Sequence, residues 1–342
     1  MRPAYLIILL VLNFFWAASL SAYKVVGEYL EPGGIVTLRF GLAALSLLVL
    51  WPWLPGAAPR GRDLAKTCLL GLIVFVLGHR LQVFGNKLNT ASNSSILMAV
   101  EPLITSVGAA IFLREHIGPR RMIGFVFGML GVFLLNGPWR PEFRWMSLGA
   151  SLIFISSFFC ETAYSIVGKR IINPGRAGVP PAAEPNSLAT LENHNPVAAI
   201  KGAATGTIAR QQHTGPLKVL ALSLAAGTLA NLLMDGPTTF AAASRLPAQV
   251  WLLLMGLALI CTAFGYGFWF FVIREGEVNI AALTIFAQPV FGVALASLWL
   301  GETLHWGQLW GSAAIVAGLI LGLSRQIKRP PKGQSTSQSS NS

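Results

Sequence analysis

Ten long apolar stretches, separated by short polar turns, follow one another along most of the chain. The turns contain Pro, Gly or charged residues, as at Gly137 and Pro138. Each stretch approaches the length of about 20 apolar residues that a helix needs to cross a bilayer core. The pattern predicts ten transmembrane helices, over residues 5–23, 34–51, 64–84, 91–112, 121–137, 145–167, 217–234, 250–273, 278–300 and 307–324.

Residues 90–135 and 277–322 carry the same pattern at a shift of 187 positions without a gap, so that Pro102 aligns with Pro289. Each copy consists of two apolar helices around a short polar turn, and the copies are spans 4–5 and 9–10. Each half therefore holds five spans, and this odd number inverts the second half relative to the first. The predicted fold is an all-α integral membrane protein of ten transmembrane helices in two inverted five-helix repeats.

The first half is assigned to residues 1–137 and the second half to residues 138–172 and 216–325. Residues 173–215 are polar and poor in aromatic side chains, which predicts a disordered cytoplasmic linker. A regulatory or partner-binding loop is the alternative, although no motif supports it. Residues 326–342 are predicted to form a disordered basic and polar tail.

Composition excludes an ordinary soluble domain. The chain is 54% hydrophobic and 11% charged, against about 25% charged residues in soluble domains. The first apolar segment could also be a cleaved signal peptide, but the helix count favours a retained helix. Cys68, Cys160 and Cys261 lie in separate apolar runs and are expected to be inert thiols. No metal site and no cofactor are predicted.

The net charge of +12 is compatible with nucleic-acid binding, but the basic residues cluster in short loops and near the C-terminus. Membrane proteins place Lys and Arg in this way on the cytoplasmic side. With a cytoplasmic N-terminus, 18 of the 25 basic residues lie inside and 6 outside. We therefore expect both termini in the cytoplasm, a location in the cell's inner (plasma) membrane, and no nucleic-acid partner.

Several ordered motifs resemble EamA-type members of the drug/metabolite transporter (DMT) superfamily. In the first half they are Asn13–Trp16 with Lys24, Leu38–Phe40, Thr90–Ile96, Glu101–Leu103 and Phe112–Glu115. The second half repeats the later ones as Ala287–Val290, Trp299–Glu302 and Gly311 to Gly318. The resemblance implies ten helices, a central cavity between the halves, efflux or exchange of small metabolites or amphiphilic compounds, and no enzyme activity. The chain departs from the family pattern at its long linker and at the polar stretch Gly78–Gln82.

Glu101 and Gln288 are equivalent in the repeat, and each lies about ten residues into its span, near the membrane midplane. The prolines that follow them, Pro102 and Pro289, predict helix breaks that expose polar backbone to a cavity. A carboxylate at this depth must be protonated, paired or hydrated. Glu101 is therefore the leading candidate for a proton-coupling or substrate-contacting group, with structural hydrogen bonding as the alternative.

Glu161 shares a helix face with Tyr164, which predicts a polar stripe and either a second proton site or a structural hydrogen bond. His79 and Arg80 lie in the outer part of span 3, Arg39 lies in the outer part of span 2, and Lys24 lies at the outer end of span 1. Together they make the extracellular mouth positive, so they either attract an anionic group or extend to lipid phosphates, and the second role is favoured for Arg39 and Lys24. His79 is either a group that titrates near neutral pH or a hydrogen-bonded structural residue.

Aromatic side chains at Trp16, Tyr164, Tyr266 and Trp269 are either packing residues or the walls of a cavity for ring-bearing or cationic substrates. Glycines spaced four apart in spans 5 and 10 predict close helix contact, between the halves or in a homodimer. Glu115 and Glu302 occupy equivalent turns, where helix capping or ion pairing is expected.

The sequence thus predicts a secondary active transporter that exports or exchanges a small metabolite by alternating access with proton coupling. An uncoupled facilitator or lipid flippase is the alternative. The expected partners are a small-molecule substrate, membrane lipid and, through the glycines, a second copy of the chain. No cluster of catalytic groups supports an intramembrane enzyme, and no Walker motif supports ATP hydrolysis.

Overall fold

A computed structural model describes residues 3–88, 94, 97–98, 100–137, 139, 148–173, 214–300 and 306–327. Regular structure within these ranges is helical, apart from one isolated backbone bridge between Ala57 and Thr214. The helices are α1 (Pro3–Val26), α2 (Pro32–Val49), α3 (Gly61–Leu88), α4 (Glu101–Leu113), α5 (Pro119–Asn136), α6 (Leu148–Ile172), α7 (Pro216–Ala243), α8 (Ala248–Glu275), α9 (Val278–Leu283, continued by Thr284–Phe286 and Ala287–Leu300) and α10 (Trp306–Ile327).

Seven of the described helices are long and apolar enough to cross a membrane, namely α1, α2, α3, α6, α7, α8 and part of α10. Helix α4 and residues Val278–Gly292 of α9 are shorter apolar helices. The prediction of an all-helical, membrane-type chain is confirmed, whereas the number of ten spans stays a prediction. Residues 174–213 of the predicted linker, residues 328–342 of the tail, and Glu302 lie outside the described residues.

The helix ends follow local rules of sequence. Proline occupies the first turn of α2, α4, α5 and α7, where its missing N–H has no intrahelical acceptor to lose. Gly137 ends α5 in the left-handed region at φ 57°. Arg114 ends α4 in the same region at φ 54°, which a side chain seldom adopts. This turn directs Glu115 towards the start of α9.

Irregular turns interrupt three of the long helices. Helix α3 contains a π-helical turn at Ile73–Gly78, and α8 contains one at Leu257–Phe264. The shift of 187 positions that relates the sequence copies also carries the bounds of α3 onto those of α8, and it makes the two π turns overlap. In α9 a 3₁₀ turn at Thr284–Phe286 precedes Pro289. The carbonyl one turn before a proline has no N–H partner, which explains the irregularity at this position.

Glycines bring α5 and α10 into close contact. A Cβ on Gly124 would lie 2.9 Å from the Gly318 carbonyl oxygen, and one on Gly131 would lie 2.6 Å from that of Gly311. From Gly124 to Gly131 the residue numbers rise along α5, while those of the α10 partners fall from Gly318 to Gly311. The two helices therefore run antiparallel. Small residues permit this approach of backbones. The glycine spacing therefore serves contact within the chain.

Helices α2 and α7 also pack antiparallel, with Gly34 near Thr239 and Gly41 near Thr228. Helix α7 is longer than the predicted span, because it continues through Pro237 to Ala243. The largest group of buried side chains surrounds these helices together with α3, α6 and α8. Between these packed helices lies a cavity lined with polar side chains.

Candidate functional site

The cavity has a volume of about 80 Å³ and is lined by residues from both halves of the chain. A water molecule occupies about 30 Å³ of liquid, so this space suits a few waters, whereas drug-sized ligands fill pockets of roughly 300–1,000 Å³. The lining residues are Trp16, Ser19, Arg39, His79, Gln82, Met98, Glu101, Thr105, Glu161, Ser165, Tyr266, Trp269, Ile285 and Gln288.

Glu101 is the first residue of α4, directly before Pro102, and its side chain faces the cavity. The described residues supply neither a hydrogen bond nor an ion pair to this carboxyl group. Thr105, one turn further along α4, contacts Thr162 of α6 through a hydroxyl pair at 2.9 Å. Among the described residues, therefore, Thr105 and not Glu101 connects these two helices.

Glu161, on α6, belongs to a hydrogen-bonded group. The Tyr266 hydroxyl donates to its Oε1 at 2.9 Å and lies 3.2 Å from His79 Nε2. His79 Nδ1 donates to the Val74 carbonyl oxygen at 3.0 Å and lies 3.4 Å from Glu161 Oε1. A carboxyl, a phenol and an imidazole in this arrangement can accept, hold and pass protons.

His79 and Tyr266 occupy equivalent positions under the shift of 187 residues, and they meet across the cavity. Each follows the π turn of its helix, α3 or α8. A π turn adds a residue to one helical turn and leaves a carbonyl without its usual partner. In α3 the Val74 carbonyl accepts from both the backbone N–H and the Nδ1 atom of His79. This contact fixes the orientation of the imidazole.

Gln288, of α9, is buried and donates to Asn13 Oδ1 at 2.9 Å. Asn13 in turn donates to the Leu9 carbonyl and to Thr284 Oγ1. The Oε1 atom of Gln288 is buried without a hydrogen-bond partner among the described residues. The repeat therefore places an amide and a carboxyl group, Gln288 and Glu101, on one cavity.

Two indole rings line the cavity next to Tyr266. Trp16 Nε1 donates to the Cys261 carbonyl oxygen at 2.9 Å, within the π turn of α8. Trp269 Nε1 donates to Ser165 Oγ at 3.0 Å. The ring centroids of Trp16 and Trp269 are 6.2 Å apart. These hydrogen bonds hold the aromatic wall in a defined orientation.

Arg39 also faces the cavity, and the sequence reasoning missed it. Its side chain is only 4% exposed, and its Nε donates to Thr262 Oγ1 at 2.8 Å. The expected position at the lipid interface is wrong for Arg39, because the rings of Tyr23 and Phe40 cover its guanidinium at 5.5 and 5.1 Å. The available signal was a charged residue inside an apolar span.

Two residues predicted for the pathway lie off the cavity. Arg80 forms an ion pair with Asp235 and donates to Asn231 Oδ1 at 2.9 Å, both on α7. Tyr164 is buried among aromatic rings, and its hydroxyl lies 2.8 Å from Ser223 Oγ. In both cases the partner on α7 turns the side chain away from the cavity.

A set of charged contacts, which we call the latch, joins α4, α5, α6 and the start of α9 at one end of the helix bundle. It consists of Glu115, Lys169, Arg121, Glu277 and the N-terminus of α9. Glu115 Oε1 lies 2.6 Å from Lys169 Nζ, and Arg121 pairs with Glu277.

The carboxylate of Glu115 also caps α9. It accepts hydrogen bonds from the backbone N–H groups of Val278 and Asn279 at 2.9 and 3.1 Å. A negative charge at a helix N-terminus is favourable. The expected capping or ion pairing of Glu115 is thus confirmed in both forms.

Residues 3–137 and 197–324 match the model of the EamA-like transporter family. The chain belongs to the EamA-like transporter family. The resemblance noted in the sequence is therefore confirmed. The first matched segment ends at the predicted boundary of the first half, at residue 137, whereas the second begins inside the predicted linker and leaves residues 138–196 unmatched.

Similar proteins cover almost the whole chain. An uncharacterized transporter of Archaeoglobus fulgidus is 22% identical over 92% of this chain and 97% of its own length. An uncharacterized transporter of Bacillus subtilis is 22% identical over 97% of each chain. A probable terminal-alkyne amino-acid exporter of Streptantibioticus cattleyicolor is 23% identical over 92% of this chain and 91% of its own.

A solved crystal structure superposes on this fold with a TM-score of 0.65 and 15% identity. The match covers 96% of this chain and 100% of that chain, and it shows the fold alone. The family and its transporter-named relatives identify a multi-pass membrane transport protein, not an enzyme.

Proposed function

We propose that this chain is a secondary active transporter that exports or exchanges a small metabolite by alternating access, with proton coupling, across the inner (plasma) membrane. Both termini lie in the cytoplasm in this proposal. The observation that carries it is a central cavity, built from both halves, that holds the carboxyl group of Glu101 without a partner among the described residues.

Alternating access needs two halves that can exchange roles, and the helix packing supports inverted repeats. The equivalent helices α5 and α10 run antiparallel where their glycines meet. Helices α2 and α7 do the same. Two related units of opposite orientation, with a binding site between them near the midplane, can open the site to either side by rocking.

The surroundings of the two cavity carboxyl groups support proton coupling. A carboxylate in a membrane interior must be protonated, paired or hydrated. Glu101 lacks a paired cation in the described residues, and the cavity has room for few waters. We infer that Glu101 carries a proton in this conformation and exchanges it when the cavity widens to admit more water.

The chemistry of the cavity favours a small zwitterionic cargo such as an amino acid. It combines a guanidinium group, two carboxyl groups and aromatic walls. The similar protein from Streptantibioticus cattleyicolor is named as an amino-acid exporter. Because the cavity is small in this conformation, a cargo larger than a few heavy atoms requires the aromatic walls to separate.

The test uses proteoliposomes that contain a pH-sensitive dye and the purified full-length chain. A mixture of the twenty L-amino acids is added under an imposed proton gradient, and internal pH and amino-acid content are followed. The wild-type protein should move protons together with cargo. Glu101→Gln should abolish this coupled movement without lowering the unfolding temperature.

Glu31→Gln is the matched control, since Glu31 is 83% exposed and pairs with Lys87 at 3.1 Å away from the cavity. Unchanged coupling in Glu101→Gln would remove Glu101 from this role. Cargo movement that ignores the gradient in the wild-type protein would favour an uncoupled facilitator or a lipid flippase.

A further inference from the structure

Arg39 is a buried cation on the cavity, and the described residues contain no carboxylate within ion-pairing distance of it. An intramembrane charge without a counter-ion is costly, and such residues mark ligand or ion pathways. We propose that Arg39 is the residue that binds the carboxylate of the transported molecule. This inference rests on the proposed function, and it assigns cargo recognition to one side chain.

The hydrogen-bond inventory of Arg39 leaves room for a ligand. A guanidinium group carries five N–H donors. The Nε–H group of Arg39 donates a hydrogen bond to Thr262 Oγ1, and that hydroxyl donates in turn to the Leu257 carbonyl oxygen. The remaining four N–H groups have no acceptor among the described residues. A guanidinium fork binds a carboxylate through two parallel hydrogen bonds.

Thr262 fixes the orientation of the guanidinium group. It lies in the π turn of α8, and its bond to Leu257 spans five residues, as the π geometry allows. The rings of Tyr23 and Phe40 hold the guanidinium carbon at 5.5 and 5.1 Å. The head group of Arg39 is therefore held in place before a ligand arrives.

Glu161 is the nearest internal alternative as a counter-ion, since it lines the same cavity. Its Oε1 atom is already engaged by the Tyr266 hydroxyl at 2.9 Å, and it lies 3.4 Å from His79 Nδ1. These contacts come from α3 and α8, and Glu161 does not lie within ion-pairing distance of Arg39. The guanidinium group is therefore available to an external anion.

The other lining groups complement the second end of such a ligand. Gln288 is 5% exposed, and its Oε1 atom is buried without a partner among the described residues. The Glu101 carboxyl also lacks a donor there. Both oxygens can accept hydrogen bonds from an ammonium or hydroxyl group. The cavity lining therefore supplies a donor group for a carboxylate and acceptor groups for an ammonium or hydroxyl group.

The test measures equilibrium binding to the full-length chain in nanodiscs without a proton gradient. The probes are the twenty L-amino acids and their C-terminal amides, which keep the ammonium group and lose the carboxylate. Binding is screened by the shift in unfolding temperature, and the strongest acid–amide pair is then titrated by calorimetry.

The wild-type protein should bind the acid at least about tenfold more tightly than the amide, as expected for a charge-assisted hydrogen-bonded pair. Arg39→Gln should reduce this ratio to about one, and Arg39→Lys should give an intermediate ratio because it keeps the charge without the fork. Thr262→Val should weaken the preference by loosening the guanidinium group. Arg80→Gln, which removes an arginine outside the cavity, should leave the ratio unchanged.

Retention of the full preference by Arg39→Gln overturns the assignment, and so does a wild-type protein that binds none of the acids. If Arg39→Gln does not fold, an unchanged ratio in Arg39→Lys and Thr262→Val overturns it as well. Binding is measured without a proton gradient. The acid-to-amide binding ratio therefore does not depend on whether the protein couples protons or transports the cargo. Transport that persists while Arg39 has no influence on binding would reject this inference alone.

Discussion

Tyr164 and Tyr266 form a natural pair for comparison, because their rings lie 5.8 Å apart and both hydroxyls are hydrogen-bonded. Tyr164 bonds to Ser223 inside the protein core. Tyr266 faces the cavity and connects Glu161 with His79. The same loss of a hydroxyl should therefore have different effects at the two positions.

We expect Tyr266→Phe to slow cargo transport by about tenfold, since Glu161 loses the donor that orients it, a contact worth ~1–3 kcal/mol. Tyr164→Phe should lower the free energy of unfolding by about 1 kcal/mol and leave the transport rate unchanged. Efflux from loaded proteoliposomes and unfolding curves measure the two effects. Equal transport rates in both variants would mean that the Tyr266 hydroxyl has no specific role in transport.

Sequence reasoning reached some of the cavity residues and missed others for physical reasons. Glu101 and Gln288 could be predicted as cavity residues because the repeat and the prolines indicate their depth in the membrane. The place of Arg39 in the outer part of span 2 favours the lipid interface over attraction of an anionic group. Its actual position depends on Thr262, a partner more than 200 positions away in the chain. No local pattern contains that contact.

At the scale of helices, the apolar pattern predicted an all-helical membrane chain, but it could not predict the π turns of α3 and α8. A π turn changes which face of the following helix points inward, so positions after it depart from the regular helical period. Tyr266 follows such a turn, whereas Tyr164 lies in an uninterrupted helix. Periodicity alone therefore could not distinguish these two tyrosines.

The contact between α5 and α10 leads to a prediction on stability. Gly131→Ala would place a Cβ 2.6 Å from the Gly311 carbonyl oxygen, so the helices must separate, at a cost of roughly 1–3 kcal/mol. Gly292→Ala is the matched control, because no atom lies within 4 Å of its added Cβ. Unfolding in detergent should occur at a lower temperature only for Gly131→Ala. An equal shift in both variants would contradict close packing as the cause.

The latch leads to a prediction on opening. Glu115→Gln removes the charge that binds Lys169 and caps α9, so the predicted cytoplasmic end should open more often. In a background without the native cysteines, Ser165→Cys on the cavity should then react several times faster with a membrane-impermeant maleimide from the cytoplasmic face. This factor is on the order of 5, equivalent to a loss of about 1 kcal/mol of closure.

Glu31→Gln again serves as the control for the latch. The Glu31–Lys87 pair is exposed, and exposed ion pairs contribute only about 0–1 kcal/mol. Its removal should leave the labelling rate of Ser165→Cys unchanged. If Glu115→Gln also leaves that rate unchanged, the latch is a static structural contact and does not control access to the cavity.

For the whole molecule, the pattern of helix contacts repeats when each helix is exchanged for its counterpart in the other half. This exchange turns the contact between α5 and α10 into itself, and the same holds for the contact between α2 and α7. The contact of α1 with α9 corresponds to the contact of α6 with α4. The sequence repeat is visible only in spans 4–5 and 9–10, whereas these helix contacts extend the correspondence to four of the five pairs of counterparts.

This pattern leads to a topology prediction. Arg62 and Gln249 are equivalent under the shift of 187 positions, and both are exposed near the starts of α3 and α8. If the halves are inverted, these positions lie on opposite sides of the membrane, with Arg62 in the cytoplasm. In a background without the native cysteines, Gln249→Cys should react with an impermeant maleimide on intact cells. Arg62→Cys should react only after permeabilisation. Labelling of both cysteines from one side would mean parallel repeats, and rocking of inverted halves could then not explain transport.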